Sequence, residues 1–187
     1  MRKFHFAVIL ATIAGLCSTR QASGIPNFDL NAGVQGNFQE LALDAGQYSV
    51  SLRSGLYTAW SNFDATSSGC TNNCAQGWLN FYSVYNVQSN SGVYVENGVG
   101  TAFADYNFGS RLAYSTPAAA LAAAVPYQFT LSSPASVQIA IPDCDGCFLD
   151  NRGGLSFSVA AVPEPATAGL IAVGLAALGL AWRRANG

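Results

Sequence analysis

Apolar and polar residues alternate with a period of two along several short stretches of this chain. QYSVSL (47–52), GVYVE (92–96), YQFTL (127–131), SVQIAI (136–141) and GLSFSV (154–159) are bounded by Gly, Pro, Asn or Asp. Each is expected to form a strand with one buried face. Val137, Ile139 and Ile141, and again Leu155, Phe157 and Val159, are expected to face inward, with Ser156 and Ser158 towards water. GWLNFYSVYNV (77–87) is a longer aromatic-rich run that suits one central strand or two joined by a bend. STPAAALAAAV (115–125) breaks the pattern: a hydroxyl N-cap, Pro117 at the first helical position and an alanine run predict a short helix that Pro126 stops. Recurring short strands with one short helix predict an all-β fold, an antiparallel β-sandwich or jelly roll with one Ala-rich helix.

Both ends of the chain lack this alternation. At the start, Arg2 and Lys3 precede the apolar run FAVILATIAGL (6–16), and small residues follow at Ala22, Ser23 and Gly24. This is the build of a cleaved secretory signal over residues 1–24. Cys17 invites a lipoprotein reading, but Leu16 stands where lipidation needs a small side chain. Near the other end, residues 166–182 are uncharged, and all but Thr167 are apolar or glycine. A helix of this length spans about 25 Å, just enough for a transmembrane helix. Arg183 and Arg184 follow it as a cytoplasmic flank, which would put residues 25–161 on the far side of the membrane as an exported domain.

Pro163-Glu164-Pro165, a short spacer, the apolar helix, paired arginines and a three-residue stub make up residues 162–187. This order resembles the PEP-CTERM sorting signal found on exported proteins of Gram-negative bacteria that make exopolysaccharide. The resemblance implies that Pro163, Glu164 and Pro165, with Arg183 and Arg184, are read by exosortase, a membrane protease-transpeptidase. It further implies cleavage at or near the motif, a membrane-anchored intermediate, and delivery to the cell surface or beyond. The tripeptide alone would also suit a proline-stiffened linker before an ordinary anchor.

With the two end segments set aside, the charge picture changes. Residues 25–161 carry Arg53, Arg111 and Arg152 against nine acids, three minus nine giving a net charge of minus six. An acidic domain without lysine argues against nucleic acid and anionic lipid as partners. The sole histidine and sole lysine, His5 and Lys3, fall in the signal segment. The exported part therefore lacks the commonest general base, every Ser-His or Cys-His nucleophile and any lysine nucleophile. A catalyst would have to use paired carboxylates, and no spacing singles out two, so a non-catalytic protein is expected.

Four cysteines lie in the exported part, Cys70 and Cys74 in GCTNNCAQG and Cys144 and Cys147 in PDCDGCFLD. Outside the cytoplasm they are expected to form disulfides. Pairing within each loop is favoured by the short spacings; pairing between loops would constrain the unfolded chain more and stays open. A four-cysteine zinc site is the alternative, less suited to an oxidising compartment. The second loop also gathers Asp143, Asp145, Asp150 and Asn151, oxygen donors of the type calcium selects, although the spacing is not that of an EF-hand. A turn in which these side chains cap their own backbone is the plainer alternative. Asp150-Asn151-Arg152-Gly153-Gly154 before a final strand resembles the late loop of exported, jelly-roll carbohydrate-binding-like domains.

Aromatic residues cluster in YTAWSNF (57–63) and GWLNFYSVY (77–85). Most are expected to fill the core. Tyr57 and Trp60 are the candidates for stacking on a glycan, because their segment lacks alternation. Two functions fit: a non-catalytic surface or matrix protein associated with exopolysaccharide and biofilm, held transiently in the membrane by its C-terminal helix, or a calcium-dependent carbohydrate-binding, lectin-like module.

Overall fold

The computed structural model describes residues 27–62, 77–108, 111–143 and 146–163. Among them the chain forms β1 (Phe28–Asn31), β2 (Phe38–Leu43), β3 (Gly46–Leu52), β4 (Trp60–Ser61), β5 (Tyr82–Asn86), β6 (Ser91–Glu96), β7 (Val99–Ala102), α1 (Pro117–Ala123), β8 (Tyr127–Leu131), β9 (Ala135–Ala140) and β10 (Arg152–Ala161). All pairing is antiparallel. One sheet runs β1-β10-β3-β8, with β4 also beside β10, and the other runs β2-β9-β5-β6-β7. The ladders are nested: β1 pairs with β10, β2 with β9, β3 with β8 and β5 with β6. A long hairpin whose successive rungs alternate between two sheets is the winding of a jelly roll, here with β7 added at one edge.

Alternation places the core between the sheets. Leu41, Leu43, Tyr82, Val84, Val95, Val137 and Ile139 from one sheet meet Phe28, Leu30, Tyr48, Val50, Leu155, Phe157 and Val159 from the other in a single buried cluster. Phe157 stacks on Phe28 at 5.1 Å in its own sheet and receives the edge of Tyr82 from the facing sheet at 5.2 Å. At roughly 1.5–3 kcal/mol for each large apolar side chain buried, this cluster dominates the stabilising side of folding.

One sequence expectation needs correction. Ser156 does not face water: it is 1% exposed. Residues 53–57 fold over the outer face of β10, where the Arg53 backbone N–H donates to the Ser156 carbonyl at 2.9 Å and the Tyr57 N–H donates to Ser156 Oγ at 3.0 Å. The run 77–87 yields only the short strand β5. Its first half is held by isolated bridges, Trp60 with Leu79 and Trp78 with Tyr114. Phe81 and Tyr82 are both buried although they point to opposite faces, because aromatic rings from residues 94–108 cover Phe81 on the outer side.

The helix α1 starts as the hydroxyl and proline require: Thr116 Oγ1 accepts from the Ala119 N–H at 3.1 Å, and Pro117 needs no donor partner in the first turn. Its Ala120 carbonyl accepts from Asn80 Nδ2 at 2.9 Å. The same Asn80 amide donates to Asn97 Oδ1 at 2.5 Å in the β6–β7 turn. No helix among the described residues is long and apolar enough to cross a membrane. The expected signal over 1–24 and the expected transmembrane helix over 166–182 lie outside the described residues.

Candidate functional site

The period of two that buries Leu41, Ile139, Val84 and Val95 turns Glu40, Gln138, Tyr85 and Tyr94 to the outer face of the β2-β9-β5-β6-β7 sheet. Strand register then aligns one row across that face. Glu40 sits opposite Gln138, Gln138 opposite Tyr85 and Tyr85 opposite Gly92. The Phe103 N–H donates to the Gly92 carbonyl at 3.2 Å, which adds Phe103 to the row. The Tyr85 and Phe103 rings lie nearly parallel, 6.2 Å apart at 7°, and Phe103 also meets Tyr94 at 4.4 Å. Phe103 is 36% exposed, so part of this apolar surface is open to solvent.

The polar end of the row is built for ionised oxygen. The Glu40 carboxylate accepts from Ser136 Oγ and from Gln138 Nε2, the latter at 3.2 Å. These two hydrogen bonds, Ser136 first, hold the Glu40 carboxyl below the ordinary 4.5. Tyr85 donates its hydroxyl to Asn90 Oδ1 at 2.6 Å, which fixes the ring.

Beside the row, a second aromatic group closes over Phe81. Tyr94, Tyr106 and Phe108 lie 5.4, 5.0 and 6.0 Å from its ring, and the Arg111 guanidinium sits 5.8 Å from the same centroid. Glu96 accepts from the Leu112 N–H at 2.7 Å, and burial pushes its carboxyl above 4.5 despite that bond and the nearby Arg111. Burial, aided by Glu96, pushes the Tyr106 hydroxyl up to about 12. Ionised oxygen, an amide and partly exposed flat rings can together hold a polyhydroxylated ligand, with hydroxyls on Glu40 and Gln138 and an apolar sugar face on the rings.

The residues named from sequence for stacking do not occupy this face. Trp60 is fully buried; its Nε1–H donates to the Phe81 carbonyl at 2.7 Å and its ring packs on Phe81 at 6.5 Å. It is a core residue and offers a glycan no surface. Tyr57 is half-buried, with its ring over Gly154, where an added Cβ would lie 2.7 Å from Tyr57 Cδ2. Tyr94 falls in the alternating stretch GVYVE, but Phe103, Tyr106 and Phe108 lie outside every such stretch. A signal was present in TAFADYNFG (101–109), three aromatics in a turn-like stretch too polar to be a core strand.

The second candidate region joins the two sheets. Asn151, 9% exposed, donates Nδ2 to the Ala32 carbonyl at 3.0 Å and to Asp143 Oδ2 at 2.9 Å. Its own Oδ1 and Asp150 Oδ1 are buried and have no hydrogen-bond partner. Asp143 and Asn151 are therefore brought together, with Asp150 adjacent in the chain, while Cys70, Cys74, Cys144 and Asp145 lie outside the described residues. Of the four expected disulfide cysteines, Cys147 lies among the described residues. Among the described residues no three His, Cys, Asp or Glu side chains converge as a metal-binding group. The following Gly153 has φ +74, and a Cβ there would stand 2.4 Å from the Ala59 carbonyl, so the close approach of β10 to residue 59 requires glycine.

Pro163 ends the described part of the sorting segment; Glu164, Pro165, Arg183 and Arg184 lie outside it. The chain matches the family model of the PEP-CTERM protein-sorting motif over residues 161–185. No curated protein and no solved structure matches the chain.

Proposed function

We propose that this PEP-CTERM protein, an exported substrate processed by exosortase, is a non-catalytic component of the cell surface or extracellular matrix that adheres to exopolysaccharide. The row Glu40, Gln138, Tyr85 and Phe103 on the outer face of its second sheet carries the reading. Partly exposed rings supply stacking, and the carboxylate and amide supply hydrogen bonds that orient hydroxyl groups. A net charge of minus six over residues 25–161 favours a neutral polysaccharide over a polyanionic one. The non-catalytic assignment rests on the confinement of the only histidine and lysine to the signal segment. In this reading the apolar segment 166–182 holds the protein in the membrane until exosortase acts on it.

A second reading, a calcium-dependent lectin-like module, is favoured by one observation, the partnerless oxygens of Asp150 and Asn151. The two readings part on a glycan array and a cosedimentation assay with the host polysaccharide, run on the full chain with and without chelator. The matrix reading expects retention by a neutral glycan that survives chelator and falls at least tenfold per folded molecule in Tyr85→Ala. Chelator-sensitive binding to one defined sugar establishes the lectin instead. A blank array with no cosedimentation overturns the polysaccharide assignment. Intact mass of the protein from its native envelope tests processing separately, since exosortase action predicts a chain trimmed near 162–165.

A further inference from the structure

The chain crosses between its sheets twice at one corner, through residues 32–37 after β1 and again before β10, where residues 141–143 and 146–151 are described. Two buried acceptor oxygens lie on the second of these crossings without a donor. Among the described residues, four buried side-chain polar atoms lack a partner: the hydroxyls of Tyr82 and Tyr106, and Oδ1 of Asp150 and of Asn151. A hydroxyl can turn its proton to suit a neighbour. A carboxylate or amide oxygen accepts only, and needs a donor or a cation brought to it.

The Asn151 amide cannot relieve this by turning over. Its Nδ2 lies between two acceptors, the Ala32 carbonyl and Asp143 Oδ2, and exchanging the ends would face oxygen with oxygen on both sides. Further oxygens lie close by, of which Asn31 Oδ1 already accepts from the Gly33 N–H and the Phe148 carbonyl from the Asn151 N–H. Asn31 Oδ1 and the carbonyls of Asn151 and Phe148 lie 3.4, 3.6 and 3.7 Å from the point where a side chain on residue 33 would begin, and residue 33 is glycine. Asp143 and Asp150 add carboxylate oxygens to the same crossing, Asp143 Oδ2 against the Asn151 amide and Asp150 Oδ1 without a donor.

We propose that this corner binds a divalent, oxygen-preferring cation, calcium by its tolerance of mixed carboxylate, amide and carbonyl donors, held by Asp143, Asp150 and Asn151. The ion holds together the crossing before β10, which the Asn151 amide ties to Ala32 of the other crossing, and makes no contact with polysaccharide, so the inference stands apart from the glycan-binding face. A ligand that binds the folded chain alone raises its stability.

The test takes the full chain in detergent micelles, cleared of metal with chelator, and titrates calcium chloride and magnesium chloride while following heat of binding and thermal unfolding. Calcium at a roughly hundredfold excess over its Kd is expected to raise the unfolding midpoint by roughly 9 °C for a domain of this size. Asp150→Asn keeps the shape and removes the charge; it is expected to weaken calcium at least tenfold while folding as the parent does in chelator. Asp105→Asn, an exposed acid elsewhere, is expected to bind calcium as the parent does. No heat and no midpoint shift with either metal would mean that water satisfies these oxygens, and overturns the proposal. An Asp150→Asn variant that binds calcium as tightly as the parent overturns it as well.

Discussion

Gly92 is the position at which the aromatic end of the outer face can be moved without touching the core. It lies on β6 opposite Tyr85, and a Cβ there would stand 2.4 Å from Phe103 Cζ, 2.5 Å from Phe103 Cε2 and 3.0 Å from the Val84 carbonyl. Carbon atoms pack at about 3.5–4.0 Å, so in Gly92→Ala the ring must retreat by about 1 Å or more, while the carbonyl has to yield only slightly. Phe103 follows the end of β7 and can swing outward. It then loses its contacts with Tyr85 and Tyr94, at roughly 0.5–1.5 kcal/mol each. Alanine recovers roughly 0.5–1 kcal/mol over glycine in a strand. The expected net loss is therefore about 1–2 kcal/mol in urea unfolding. Binding to the polysaccharide should fall roughly tenfold, because the parallel pair of rings no longer exists. Unchanged stability and unchanged binding would refute the placement of Phe103 on the face. A loss above about 4 kcal/mol would show that the backbone, not the ring, absorbs the clash.

Three further outcomes separate core from site. Trp60→Phe removes the donor to the Phe81 carbonyl and leaves a void; urea unfolding should show a loss of about 2–4 kcal/mol, with polysaccharide affinity per folded molecule unchanged. Asn80→Leu strips the donor from Ala120 and the acceptor from the Asn97 N–H, a cost of about 2–4 kcal/mol, and hydrogen exchange should quicken in α1 and in the turn at residues 97–98. Glu96 has its folded pKa raised above 4.5, so its neutral form contributes stability that is full below pH 4.5 and lost as pH rises through the raised value. Glu96→Gln keeps an acceptor for Leu112 and should melt above the parent at neutral pH, the difference vanishing in melts below about pH 4.5.

Alternation located β3, β6, β8 and β9, which keep one wet face, and also β10, whose serines alternate with apolar residues although its outer face is covered. β8 matches YQFTL residue for residue, and β3, β6, β9 and β10 lie within one or two residues of their sequence signals. β4 is two residues long, and β7 (VGTA) has little apolar contrast, so neither carries a detectable period. Trp60 was misread for a related reason. A period argument sees only the chain near a residue, while burial of Trp60 comes from Leu79 and Phe81, some twenty positions away. Ser156 shows the same limit, since its cover comes from residues 53–57. The row Glu40, Gln138, Tyr85 and Phe103 unites four segments through strand register alone, and no local motif announces it.

The two sheets treat their outer faces differently, and that asymmetry indicates where ligand contact belongs. The outer side of β10 is closed by residues 53–57, and Arg53 fastens them with its Nε to the Phe157 carbonyl at 3.1 Å and an ion pair to Asp29 at 3.5 Å. On the other sheet, the segment after β7 covers only the end near Phe81. Across the rest, Phe38 at 47% exposure stands opposite Ala140, and Phe103 and Phe108 remain 36% and 43% exposed. A chain able to seal one face with a five-residue return has left large apolar rings uncovered on the other, beside an ionised carboxylate fixed by two hydrogen bonds. Exposed apolar surface rimmed by ordered polar groups marks a binding site. The polysaccharide contact proposed above draws on this surface: flat rings and oxygen acceptors would meet a sugar, and the acidic setting disfavours polyanions.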